Sequence, residues 1–267
     1  MASADRAVDA HAHVFSATAP AVTGARYRPA YGADVKDWRE LWKRTGITHG
    51  VVVQPSFFGA DNREMLETVG ADPLHLRGVA VLDPLADAST LERFTALGVR
   101  GLRLNLRGVE DYRHYATPGW RALFRRAQDV GWHLEVFVDL GRLPEIEAAL
   151  EGSTIAVVFD HFGGAGDEPR SLAATFEAVA RLSAARPVWV KLSAPYRHAG
   201  AHPREVTARW LDAVGPDNVV WGSDWPWTGH EAGRDYARLR SDLDDWVDAR
   251  VARATLWDNA ARLYGFA

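Results

Sequence analysis

Short runs of Val, Ile, Leu and Phe recur along the chain, alternating with stretches whose apolar residues repeat at helical spacing. The runs predict strands over Val8–Val14, Ile47–Gln54, Arg77–Leu82, Gly101–Leu106, His133–Asp139, Ile155–Asp160, Val188–Ser193 and Val219–Ser223. Between them, stretches such as Asp34–Thr45, Ser89–Leu97, Trp120–Val130, Leu143–Leu150, Ser171–Ala184 and Arg204–Val214 have the spacing of helices with one buried face. Gly46, Gly98, Gly131, Gly152 and Gly215 follow several of these, where a glycine ends a helix without steric cost. Eight strands alternating with helices predict a parallel sheet, and 267 residues is the usual length of a closed barrel. The expected architecture is an α/β fold, one distorted (β/α)8 TIM barrel over residues 1–267, with no low-complexity linker dividing it.

The polar positions on these strands fall on one face. In Gly101–Arg107 the leucines take one side and Arg103, Asn105 and Arg107 the other. His133, Glu135, Phe137 and Asp139 likewise share a face, as do Trp189, Lys191 and Ser193. Polar groups inside a barrel must pair or bind ligand. Glu135 and Lys191 read equally well as an interior ion pair or as catalytic groups.

Composition narrows the class of protein. The chain is 47% hydrophobic and 25% charged, as in a globular protein with a sizeable core. Its net charge is -4 and no basic block stands out, which argues against nucleic-acid or anionic-membrane partners. Cysteine is absent, excluding disulfides, thiolate catalysis and Cys-ligated metals. No leader-like N-terminus and no apolar stretch of about 18 residues is present, so a cytoplasmic location is expected. Eleven tryptophans are many. Trp221, Trp225 and Trp227 bracket Asp224, either as rim packing or as a flat wall for a planar substrate.

Candidate chemistry starts with His11 and His13, which period-two alternation places on one face of the first strand. His161 ends the sixth strand and Asp224 the eighth, at the end of the barrel where active sites assemble. Three imidazoles and one carboxylate suit a mononuclear zinc site. They suit equally a metal-free set in which the carboxylate deprotonates water and the imidazoles polarise a carbonyl. The other histidines, His49, His75, His114, His133, His198, His202 and His230, are expected at surface or structural positions. Arg103 and Arg107 at the fourth strand and Arg197 after the seventh can recognise carboxylates bidentately.

Several motifs occur in a telling order: Val8–His13, Val53–Ser56, Gly101–Arg103, Asp160–Gly163, Val188–Ser193 with Tyr196 and Arg197, and Trp221–Pro226. Together they resemble the amidohydrolase superfamily, of the amidohydrolase 2 type, in the branch of the 2-pyrone-4,6-dicarboxylate lactonases. The likeness spans nearly the whole chain. It implies a distorted barrel and hydrolysis of a lactone ester. By matching position it implies Asp224 as the base, His11, His13 and His161 around the reacting carbonyl, and Arg103 and Arg197 as carboxylate binders. Ser56, Tyr196, Asn105 and Arg107 complete the expected substrate contacts.

Departures from the superfamily pattern sharpen the expectation. Arg103 stands where many members carry a metal-bridging Lys or Glu, the fifth strand lacks a terminal His, and Trp227 replaces a His often found after the Asp-Trp-Pro. No cofactor is expected to be required, because a lactone is an activated ester; the alternative is one zinc on His11, His13, His161 and Asp224. The substrate is expected to be a carboxylate-bearing lactone from aromatic or sugar-acid catabolism. The rival readings are a zinc-dependent decarboxylase of the same superfamily and a ligand-binding barrel without catalysis. The oligomeric state is not encoded in any motif.

Overall fold

The computed structural model describes residues 6–138, 142–164, 169–197 and 202–267, with the side chains of 169–175 left aside. Eight parallel strands run in chain order: β1 Val8–Ala12, β2 His49–Val53, β3 Leu76–Ala80, β4 Val99–Asn105, β5 His133–Phe137, β6 Val157–Phe159, β7 Val188–Ser193 and β8 Val219–Gly222. The connecting helices are α1 Val35–Thr45, α2 Arg63–Ala71, α3 Ala88–Ala96, α4 Pro118–Asp129, α5 Leu143–Ala149, α6 Pro169–Ala185, α7 Pro203–Val214 and α8 Tyr236–Trp246. The barrel expected from the alternating pattern is present.

Local chemistry explains most of these boundaries. Asp34 caps α1 by accepting from the Lys36 N–H at 2.7 Å, and Gly46 ends it at φ 72°. Asp87 and Asp235 cap α3 and α8 in the same way. α2 has no such cap, because the Asn62 side chain instead bonds Ala60 and Val81. That helix, with the C-terminal ones, was not singled out by periodicity. Asp139, assigned to the fifth strand face, and His198 lie outside the described residues.

Val52, Leu102, Leu104, Val136, Phe159, Val190 and Leu192 face outward and pack on the helices. Inside, Val8, Val51, Val53, Val79, Val158 and Val220 meet Trp257, Tyr264 and Phe266 from the C-terminal segment. That segment runs through helices α9 Ala249–Arg253 and α10 Asn259–Tyr264 and closes the barrel floor.

The seam between β1 and β8 is irregular. The register of β1 shifts between Asp9 and Ala12, so Asp9 and His11 do not share a face as strict alternation would require. Asp9 points toward α1 and α8 and accepts from Ser223 N (2.8 Å), Ser223 Oγ (2.6 Å), Trp38 Nε1 (2.9 Å) and Tyr236 OH (2.8 Å). Burial raises its carboxyl pKa despite these donors. Higher up, the Asp224 N–H reaches the His11 carbonyl and the His13 N–H the Trp225 carbonyl, both at 2.8 Å. Gly222 permits this approach: a Cβ there would lie 2.6 Å from the His11 Cβ.

Candidate active site

The ends of three strands bring together the residues singled out by motif. His11 lies on β1 and His13 just beyond it, while His161 and Asp224 follow β6 and β8 with left-handed φ of 52° and 59°. Non-glycine residues rarely adopt such angles, and they concentrate where a fold fixes a functional side chain. Asp224 Oδ1 lies 3.8 Å from His11 Nε2, 3.7 Å from His13 Nε2 and 3.6 Å from His161 Nε2. Both Asp224 Oδ1 and His11 Nε2 are buried without a hydrogen-bond partner.

The other carboxylate oxygen is fully engaged. Asp224 Oδ2 accepts from Tyr196 OH and Arg197 Nε at 2.7 Å, with Arg197 Nη2 also at 2.7 Å. Burial alone would raise the Asp224 carboxyl, but the Arg197 guanidinium in contact with it holds it well below the usual carboxylate range. Burial pushes the His13 ring down to about 3 and lowers His11 and His161 as well. The imidazoles are therefore neutral at physiological pH. The His13 Nδ1–H donates to the Val53 carbonyl at 2.7 Å, which leaves its Nε2 lone pair facing the site.

Beneath this focus runs a buried ionic network. Lys191 Nζ lies 2.7 Å from Glu135 Oε2, 3.3 Å from Asp160 Oδ1 and 3.1 Å from His11 Nδ1. The ion-pair reading of Glu135 and Lys191 is the one realised. Arg103 donates Nε and Nη2 to Asp160 Oδ2 at 3.2 and 3.1 Å, and Nη1 to the Gln54 carbonyl at 2.9 Å. Burial would raise Asp160 and Glu135, yet Lys191 draws both down, Glu135 to about 2.

Above the focus opens a cavity of about 270 Å³ lined in part by His13, Ser56, Arg103, Asn105, Arg107, Phe137, His161, Arg197 and Asp224. Of the residues expected around the substrate, His11 and Tyr196 are not on this wall; Tyr196 reaches the site through its bond to Asp224, and His11 lies behind it, 3.8 Å from Asp224 Oδ1. Arg26, Tyr27 and His230 also line it, and no periodicity pointed to them. Arg26 lies in the loop after β1 and donates to the Arg107 carbonyl. Tyr27 donates to Glu231 at 2.5 Å, tying that loop to the one after β8. The tryptophans do not form a substrate wall. Trp221 and Trp225 are core residues, Trp225 stacked on Trp38, and the Trp227 indole donates to the Ser223 carbonyl.

Two groups of potential metal ligands occur among the described residues: His11, His161 and Asp224, and His11, Glu135 and Asp160. Lys191 occupies the middle of the second. In the first, the unpartnered His11 Nε2 and Asp224 Oδ1 and the spacing of the three groups, with His13 Nε2 3.7 Å from the same Asp224 oxygen, are positionally suited to one divalent ion.

Similarity to known proteins extends over most of the chain. The family model described as Amidohydrolase matches residues 8–266. A crystal structure from Pseudomonas putida, named provisionally as a 2-pyrone-4,6-dicarboxylic acid hydrolase, is 36% identical, with a TM-score of 0.87 and 97% of each chain covered. A 2-pyrone-4,6-dicarboxylate hydrolase from Comamonas testosteroni is 28% identical over 97% of this chain and 90% of its own. A 4-sulfomuconolactone hydrolase from Rhizobium radiobacter is 27% identical over 96% and 89%. No described helix is long and apolar enough to cross a membrane.

Proposed function

Since the chain belongs to the amidohydrolase family, we propose that it hydrolyses a carboxylate-bearing lactone with Asp224 as the base that activates water. The observation that carries this reading is the unpartnered Asp224 Oδ1, ringed by three imidazole Nε2 atoms at 3.6, 3.7 and 3.8 Å. A water there gives its proton to Oδ1 as its oxygen attacks the ester carbonyl. The histidines and nearby guanidiniums stabilise the oxyanion. Collapse of the tetrahedral intermediate breaks the ring C–O bond, and the ring oxygen takes up a proton. The product is a hydroxy acid, or its keto tautomer where the ring oxygen leaves as an enol.

A lactone is activated compared with an amide, so a positioned base and oxyanion donors suffice for this reaction. A divalent ion held by His11, His13, His161 and Asp224 would supply Lewis-acid polarisation and a more acidic water.

The lining supports an anionic, small-molecule substrate. Arg103 and Arg197 are neutralised by Asp160 and Asp224. Arg26 and Arg107 form no ion pair among the described residues, which leaves positive charge at the mouth. The relatives' substrates, a pyrone dicarboxylate and a sulfonated muconolactone, are acidic lactones of one ring. A cavity of about 270 Å³ has room for such a ring.

The test is ring opening by the purified enzyme across acidic and neutral lactones, followed by proton release. Turnover confined to acidic lactones is expected. Release of CO2 from carboxylated aromatics without lactone opening, or binding without turnover, would overturn the proposal.

A further inference from the structure

Lys191 lies inside the barrel, wholly buried, and the hydrolytic scheme above gives it no task. Its ammonium lies at ion-pair distance from two carboxylates, 2.7 Å from Glu135 Oε2 and 3.3 Å from Asp160 Oδ1, and hydrogen-bonds His11 Nδ1 at 3.1 Å. An ammonium cannot accept a hydrogen bond. His11 Nδ1 must therefore accept, and in a neutral ring the proton then sits on Nε2.

The competing arrangement, a His11 Nδ1–H donated to Asp160, is disfavoured by direction. Asp160 Oδ1 lies 3.2 Å from Nδ1, close enough for charge attraction but without the geometry of a good hydrogen bond. It would also bring an N–H against the Lys191 ammonium. We infer that Lys191 is a positioning residue that fixes His11 with its proton on Nε2, so that His11 serves as a hydrogen-bond donor at the focus instead of as a metal ligand.

The contrast with His13 gives this consequence. His13 donates Nδ1–H to the Val53 carbonyl at 2.7 Å and offers its Nε2 lone pair, the arrangement common among metal-bound histidines. His11 offers a proton from the neighbouring position. Zinc could use His11 Nε2 only after that ring shifted its proton to face an ammonium. Four groups placed for a metal are thus opposed by the residue behind one of them. For the proposed lactone opening, on which the donor role of His11 rests, the protonated Nε2 lies 3.8 Å from Asp224 Oδ1 and so offers a donor beside the attacking water.

The test begins with the unsubstituted apo-protein. Nitrogen-15 shifts of the His11 ring, assigned by their loss in His11→Gln, report the tautomer independently of any substrate. A protonated Nε2 is expected; a protonated Nδ1 would overturn the inference. Lys191→Met should move the proton to Nδ1 and tighten zinc binding, read by competition with a chromophoric chelator, by about tenfold or more. Because Lys191→Met strands Glu135, the double variant Lys191→Met/Glu135→Gln is measured beside it. An unchanged tautomer in a folded variant would show that Lys191 only packs. Lactone inactivity with the predicted tautomer would sink the functional reading and leave this one standing.

Discussion

Arg197 grips Asp224 by one edge, with Nε and Nη2 both 2.7 Å from Oδ2, and leaves Oδ1 facing the histidines. The arginine expected to hold substrate is thus also the residue that sets the charge of the base. Its removal frees an otherwise depressed carboxyl. An opposite charge in contact lowers a carboxyl pKa by about 1–3 units. Arg197→Met should therefore move the acid limb of the kcat–pH profile upward by about that amount. The active form is the ionised one, so the loss is greatest at low pH and shrinks toward neutrality. An unmoved limb would show that the pair does not govern activity.

Asp224→Asn keeps an oxygen in place but cannot accept the water proton. We expect kcat to fall by a factor of about 10² to 10⁴, the usual worth of a positioned base. Far-UV circular dichroism should be unchanged. Near-normal kcat in this variant would rule out Asp224 as the base.

Arg26 and Arg107 form no ion pair among the described residues. Arg26→Ala should raise KM for an acidic lactone by about tenfold or more, since a charge-assisted hydrogen bond contributes about 1.5–3 kcal/mol. kcat should change little. Equal effects on a neutral lactone would mean that Arg26 shapes the loop without reading charge.

Glu135 is held at about 2, below its ordinary value, by Lys191 after burial has worked against it. A depressed folded-state pKa stabilises the fold above the unfolded value and loses that contribution as pH falls through the folded one. Thermal stability should therefore decline between about pH 4.5 and pH 2. Glu135→Gln should flatten that part of the curve while lowering the plateau above it. An identical slope in wild type and variant would contradict the assignment.

Gly222→Ala tests the seam. Its new Cβ would lie 2.6 Å from the His11 Cβ, so β8 or β1 must shift. Overpacking of this kind costs about 1–3 kcal/mol. A lower Tm with reduced kcat is expected, because the same shift moves His11. An unchanged Tm would show that the seam has slack.

The sequence by itself determined the strand succession, the shared face of Arg103 and Asn105, and the placing of His11, His13, His161 and Asp224 at strand ends. These follow from periodicity and from where an apolar run stops, both of which are local. It left undecided whether Glu135 and Lys191 pair, and it passed over Arg26, His230 and the part played by Asp160. It left the tryptophans around Asp224 between packing and a flat substrate wall, and packing is what occurs, with Trp225 stacked on Trp38. Only the tertiary structure decided which way Asp9 faces, because a register shift between Asp9 and Ala12 breaks the alternation that a sequence reading assumes. It likewise decided that Lys191 meets His11 across 180 residues of chain. Short-range spacing fixes the face on which a side chain lies, but which charge it meets inside the barrel depends on closure between strands far apart in sequence.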